Sequence, residues 1–311
     1  MDLNFTHLGK VKVRMKGYIE EAIQAFPDEL STRAPKTPAA DHIFEVNPDG
    51  VPIDQEKKII FHHIVAKLLF VSTRGRPDIQ VPISFLTSRV AKPTEDDWKK
   101  LARVLGYLKD TMDLCLTLQS NDMSVIKYWT DAAYGVREDF KSQTGAVMSF
   151  GRGGMMTKST KQKLNTKSAC EAELVGASDM IPQLLWTRYF LNEQGYNIKE
   201  AILYQDNQSA ILLQKNGRAS SGKRTKHINI QYFFMVDRIK NEELQVEYCP
   251  TNDMLADFFT KPLQGSKFME FRDIILGYAE LTPVNIVSNS ERVGRNGNLG
   301  NASSTCKATS E

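Results

Sequence analysis

Cysteine is scarce and unpatterned in this chain. Cys115, Cys170, Cys249 and Cys306 are the only four in 311 residues, and no two form a C-x-x-C pair. None of the five histidines stands at zinc-ligand spacing from one of them. A zinc framework and a disulfide scaffold are therefore not expected, and a reducing compartment is. Long apolar runs are missing too: no stretch approaches the roughly 18 residues that a bilayer span requires. The opening MDLNFTHLGKVKVRMKGYIEE has no apolar core of signal-peptide type. The expectation is a cytoplasmic or nuclear protein that is not secreted and has no membrane partner. An excess of one charge sign is also lacking. The net charge is +3, so any argument for nucleic acid rests on where the charges sit. There are no internal repeats. Nor is there a Ser/His/Asp or Cys/His grouping, because His227 is the only histidine in the second half of the chain.

What is present has globular composition, with 41% hydrophobic and 25% charged residues. In residues 1–56, KVKVRMKGYIEEAIQAF reads as a short strand followed by a helix, and Pro27, Pro35, Pro38, Pro48 and Pro52 then mark irregular chain. Residues 57–112 read as three helices. The third opens at Thr94, an N-cap, with Glu95, Asp96 and Asp97 where the helix dipole favours negative charge. Trp98, Leu101, Leu105 and Leu108 follow at helical spacing.

From residue 124 to 260 the pattern changes. SVIKYWTDA, TGAVMSF and GGMMTKST read as successive strands. A long helical stretch follows, SACEAELVGASDMIPQLLWTRYFLNEQG, which Pro182 is expected to end or kink. Then come the strand AILYQ, the helix NQSAILLQ, the helix KHINIQYFFMVDRIKN, the strand LQVEYC and a final helix from about Thr251. A meander of strands followed by strand–helix alternation predicts a mixed α/β sheet covered by helices. Residues 278–311 are polar and aperiodic, and are expected to be a disordered tail.

Four acids stand out in the α/β region. Asp131 in YWTDAAYG and Asp206 in LYQDNQSA each follow a strand-like run, and strand ends are where sites form in open α/β sheets. Taken singly, such an aspartate is more often a cap or turn former. Glu171 and Glu173 lie early in the long helix, where about 100° per residue separates them. Glu173 shares a stripe with Ala177 and Met180, so it points to the apolar side, where a charge needs a partner or a cation. Glu171 reads as a solvated helix acid. Asp257 sits among Leu255, Ala256, Phe258 and Phe259, and a capping or ion-pair role is its bland reading. Carboxylates without nearby His or Cys favour Mg²⁺ or Mn²⁺ over zinc. Two such ions about 3.5–4 Å apart can clamp the attacking and leaving oxygens of a phosphodiester.

YWTDAAYG, SACEAELVGAS, LYQDNQSAILL, RTKHINIQYFF and EYCPTNDMLADFFTKPL together resemble the ribonuclease H domain of copia-type retrotransposon polyproteins, in the family's order and at its spacing, over roughly residues 120–265. The stretch from FHHIVAKLLF to GYLKDT resembles the reverse transcriptase thumb and connection just before that domain, and residues 1–56 resemble the end of the polymerase part. The resemblance implies a ribonuclease H-like mixed five-stranded sheet with flanking helices, preceded by a small helical segment. The divisions it implies are 1–56, 57–119, 120–277 and a tail from 278 to 311. It also implies a two-Mg²⁺ site that hydrolyses the RNA strand of an RNA–DNA hybrid, with Asp131, Glu173, Asp206 and Asp257 as catalytic metal ligands. The partners would be RNA–DNA hybrid and, where the chain is made as part of one, the rest of the polyprotein. Cys170 stands where the family commonly has Thr, a change expected to be tolerated.

Two departures limit the resemblance. The polymerase signature Y-x-D-D is absent, so polymerase activity is not expected. The loop CPTND also lacks the histidine that cellular ribonucleases H carry before the last aspartate. The run KNGRASSGKRTKH, from Lys215 to His227, holds Lys215, Arg218, Lys223, Arg224 and Lys226 with no acid. It is expected to contact nucleic-acid phosphates without reading bases, while His227 is expected to cap or pack at a helix start. The competing class is a ribonuclease H fold kept as a non-catalytic binding or scaffold module, a fragment of a copia-type polyprotein.

Overall fold

The computed structural model describes residues 1–216 and 229–281, those from 229 to 233 by backbone alone. The expected tail beyond residue 281 lies outside the described residues, as do Arg218, Lys223, Arg224, Lys226 and His227. Contacts hold Met1–Leu281 together as one compact unit.

The chain opens with β1 (Asp2–Asn4), β2 (Lys10–Arg14) and α1 (Lys16–Gln24), the strand-then-helix order read from the sequence. Three helices follow the proline-rich stretch: α2 (Gln55–Arg74), α3 (Gln80–Thr87) and α4 (Glu95–Asp110). Local chemistry sets their starts. The Asp54 carboxylate accepts from the Lys57 N–H, 2.8 Å away, and Thr94 and Asp97 form a reciprocal capping box. Then come β3 (Leu116–Ser120), β4 (Val125–Ala133), β5 (Gln143–Ser149), β6 (Gly151–Arg152) and β7 (Met156–Lys161). The remaining elements are α5 (Ala169–Glu193), β8 (Glu200–Gln205), α6 (Gln208–Asn216), α7 (Asn229–Lys240), β9 (Gln245–Tyr248), α8 (Asp257–Thr260) and α9 (Gly265–Ile275).

Two sheets result. The smaller has the order β1-β2-β3-β6, and the larger the order β7-β5-β4-β8-β9. In the larger sheet β5 runs antiparallel to β4 and β7, whereas β8 lies parallel to both β4 and β9. This mixed five-stranded sheet with flanking helices is the ribonuclease H-like α/β fold expected from the sequence. β4 is central and buried from Tyr128 to Ala132, while β7 at the edge is only half covered. On one face, Ala177, Met180, Ile181 and Leu184 of α5 pack on Ile126, Tyr128, Met148 and Leu203. Each of the larger aliphatic side chains buried there contributes about 1.5–3 kcal/mol.

That packing explains one correction. α5 continues from Ala169 to Glu193 with Pro182 inside it, so the helix does not end there, the first of the two outcomes expected of that proline. A proline in a helix interior costs about 3 kcal/mol, less than the burial along the face on either side of it supplies. A second correction concerns the C-terminal helix. The segment from Thr251 is a single 3₁₀ turn (Thr251–Asp253), then the one-turn α8, and only then α9.

The other face of the sheet carries α8 and α3. A Cβ on Gly145 of β5 would stand 2.6 Å from the Ala256 carbonyl oxygen and 2.7 Å from Thr260 Cγ2, so glycine is what allows α8 to lie there. Buried polar contacts fasten α3 to the sheet. Gln80 donates to Thr157 Oγ1 at 2.7 Å, and the buried Arg137 guanidinium spans Gln143 Oε1 and Ser84 Oγ.

Candidate metal centre

Register brings the first two acids together. β4 and β8 pair in parallel through Trp129 opposite Tyr204, and continuing that register two residues sets Asp206 beside Asp131. Asp131 is not at the end of its strand, as expected, but inside it, paired with Gly145 of β5. β8 stops one residue before Asp206. The stacked rings of Trp129 and Tyr204, 4.9 Å apart, precede the two acids on their strands.

Glu173 comes from the first turns of α5. One carboxylate oxygen from each of Asp131, Glu173 and Asp206 lies within 4.8 Å of the others. Asp131 is 3% exposed and Glu173 6%. Glu173 Oε2 has no hydrogen-bond partner, which is costly for a buried carboxylate oxygen. The electrostatics agree. Burial, and then the charges of Asp131 and Asp206, push the Glu173 carboxyl well above its ordinary range. Burial and Asp131 raise Asp206 as well, against the Thr251 hydroxyl and the Lys261 charge.

Asp257 is placed differently. It opens α8 and lies outside the three-acid cluster, but it faces Asp131. Burial and the Asp131 charge raise its pKa to about 7, opposed by Lys261. Lys261 Nζ stands 2.7 Å from Asp257 Oδ1, the ion-pair role weighed for this aspartate from the sequence. The four acids thus divide into three that crowd one another with no direct ion pair among the described residues and one that has an ammonium group in contact.

Three residues near the acids were not singled out from the sequence. The Thr260 hydroxyl donates to Asp131 Oδ2, Thr251 donates to Asp206 Oδ2 at 3.2 Å, and Lys261 pairs with Asp257. The signal for two of them, Thr260 and Lys261, was in plain view, because ADFFTKPL sets Thr and Lys one helical turn beyond the aspartate.

Glu171 requires a correction. It is not a solvated helix acid: it is 8% exposed, and its Oε2 accepts from the Lys167 backbone N–H at 2.7 Å. With the Ser168 hydroxyl accepting from the Glu171 N–H at 3.2 Å, it caps the start of α5 and lies outside the acidic cluster. Of the basic run, the described Lys215 is exposed in the last turn of α6.

No protein-family model matches the chain. The retrovirus-related Pol polyprotein from transposon TNT 1-94 of Nicotiana tabacum is 29% identical over 272 residues, 86% of this chain and 20% of the relative. That from transposon RE1 of Arabidopsis thaliana is 30% identical over 213 residues, 68% of this chain and 14% of the relative. The chain is homologous to part of the retrovirus-related Pol polyproteins of transposons. It spans about a fifth or less of the length of the Pol relatives just described.

Among solved structures, the ribonuclease H1 LC11, isolated from compost, shares 14% identity with this Pol-related chain at a TM-score of 0.33, over 43% of the chain and 91% of its own length. A foamy viral protease–reverse transcriptase solved with RNA/DNA hybrid shares 12% identity at a TM-score of 0.47, over 84% of this chain and 31% of its own. No helix among the described residues is long and apolar enough to cross a membrane.

Proposed function

We propose that this Pol-related chain is a metal-dependent ribonuclease H that hydrolyses the RNA strand of RNA–DNA hybrids. The observation that carries the reading is the unpartnered Oε2 of Glu173, buried within reach of Asp131 and Asp206. Burial and the neighbouring acids raise the Glu173 and Asp206 carboxyls, and three carboxylates this close are stable together only with protons or a cation between them. An all-oxygen donor set fits Mg²⁺, with Mn²⁺ as the alternative. Asp131, Glu173 and Asp206 would hold the metal, and Asp257 would be the fourth ligand through its proximity to Asp131. When bound, divalent ions supply an activated water and charge stabilisation at the leaving oxygen.

The chain's own residues do the rest. The Thr260 hydroxyl fixes the orientation of Asp131, and Thr251 does the same for Asp206. Lys215, Arg218, Lys223, Arg224 and Lys226 would bind the phosphates of the hybrid irrespective of sequence. Residues 120–277 would be the nuclease domain. Residues 57–119 and 1–56 would be the thumb and polymerase-side segments that accompany it, with the remainder of a polyprotein as partner in the cytoplasm or nucleus. Polymerase activity is not part of the proposal, because the chain has no Y-x-D-D.

The test is cleavage of a labelled RNA–DNA hybrid by the purified chain, with RNA–RNA and DNA–DNA duplexes as controls. Mg²⁺-dependent loss of the RNA strand in the hybrid alone is expected. A chain that binds hybrid yet leaves it intact in Mg²⁺ and Mn²⁺ would be a scaffold module.

A further inference from the structure

The four acids are not neutralised alike, and the difference points to a role for Lys261. Glu173 has an oxygen with no partner, whereas Asp257 has an ammonium 2.7 Å away. Lys261 follows the single turn of α8. Its N–H bonds to the Asp257 carbonyl at 2.9 Å, and its backbone is already extended at φ −120°, ψ 140°. From there the side chain turns back along the helix turn to the Asp257 carboxylate. Its side chain is 41% exposed, against 10% for that of Asp257, so Lys261 is the partner with open space beside it. Burial alone would lower the Lys261 pKa, yet the charges of Asp131, Asp257 and Asp206 hold it above the ordinary lysine value.

We propose that Lys261 is a displaceable counter-ion occupying the Asp131–Asp257 side of the centre, so that a second divalent cation binds there only by driving its ammonium out. The proposal rests on the metal-centre reading above. It follows from charge and space. A cation held by Asp131, Glu173 and Asp206 meets no positive group in direct ion-pair contact with those three acids among the described residues, whereas one shared by Asp131 and Asp257 meets the Lys261 ammonium. An ammonium and a divalent ion repel at contact distance, and little water screens them there. The first ion should therefore bind well and the second poorly. Hybrid phosphates offer the displaced ammonium an alternative partner, so substrate would favour the two-ion state.

Mn²⁺ titration of the full chain, read by calorimetry and by the spin-resonance signal of free Mn²⁺, tests this without activity as the readout. The wild type should show one tight site and a second at least about tenfold weaker, a gap of about 1.4 kcal/mol. Lys261→Met should tighten the second site by about tenfold and the first, whose Asp131 and Asp206 feel the same charge without a direct ion pair, by much less, and Lys261→Arg should retain the wild-type gap. In the wild type, the Lys261 Cε–Nζ resonance should move with the second equivalent of Mg²⁺ and not with the first. This reading does not depend on how any variant folds. An unchanged or weakened second site in Lys261→Met, or a Lys261 resonance insensitive to the second equivalent, would overturn the proposal while leaving the metal centre standing. A wild type that binds no divalent ion at all would remove both.

Discussion

Gly145 lies directly across the sheet from Asp131, and its missing side chain is what lets α8 rest on the strand beside that acid. A methyl group there would meet Ala256 and Thr260 at 2.6 and 2.7 Å. Gly145→Ala should therefore push α8 away and break the bond from Thr260 to Asp131. Overpacking of this kind costs about 1–3 kcal/mol, which urea unfolding would show. Mg²⁺ affinity should fall with it. Full stability and full metal affinity in this variant would mean that α8 is not positioned through Gly145.

Thr260 offers a gentler perturbation of the same contact. It is fully buried, and its hydroxyl donates to Asp131 Oδ2. Thr260→Val removes the donor at nearly constant shape, and loss of such an orienting partner weakens metal binding by roughly 10–100-fold. Thr260→Ser should restore most of it. Calorimetric titration with Mg²⁺ distinguishes the two, and equal affinities in both variants would reduce Thr260 to a packing residue.

The acids also predict how stability depends on pH. The folded-state pKa of Asp257 is about 7, above its ordinary 3.8, and those of Glu173 and Asp206 are shifted in the same direction. Between pH 4 and 7 the folded chain therefore binds more protons than the unfolded one, and its stability falls as pH rises. In EDTA the melting temperature should drop across that window. Saturating Mg²⁺ should reverse the loss, by about 2.7 kcal/mol at a concentration 100 times its Kd. A melting temperature that rises with pH in EDTA would show that these acids are already neutralised by something else.

Much of this site was legible in the sequence because it is encoded locally. The Thr94 cap, the strand-like runs before Asp131 and Asp206, and the helical face that separates Glu173 from Glu171 all depend on residues a few positions apart. What escaped depends on contacts distant in sequence. Nothing near Pro182 reveals that α5 has enough sheet beneath it to carry a proline. Glu171 is the local exception: the Lys167 backbone N–H that it accepts is only four residues away, in an entry turn that helical periodicity does not describe. The partnership of Gly145 with α8 joins residues more than a hundred positions apart, and no period or propensity announces it.

The basic run contributes a separate expectation. Replacing Lys223, Arg224 and Lys226 by Ala should weaken hybrid binding equally for all sequences. The slope of log affinity against log salt should flatten by about 2–3, since each lost phosphate contact accounts for roughly 0.7–0.9. Fluorescence anisotropy at several salt concentrations measures this, and an unchanged slope would return the segment to an ordinary loop.

The central claim, a metal centre built on Asp131, Glu173 and Asp206, is tested most directly by a matched pair of variants in one hybrid-cleavage assay. Glu173→Gln removes from the cluster the carboxylate whose Oε2 is unpartnered, whereas Glu171→Gln changes the neighbouring carboxylate that only caps α5. The account predicts that Mg²⁺-dependent cleavage of the RNA strand is lost in Glu173→Gln and retained in Glu171→Gln. Cleavage retained by Glu173→Gln, or lost only in Glu171→Gln, would contradict it.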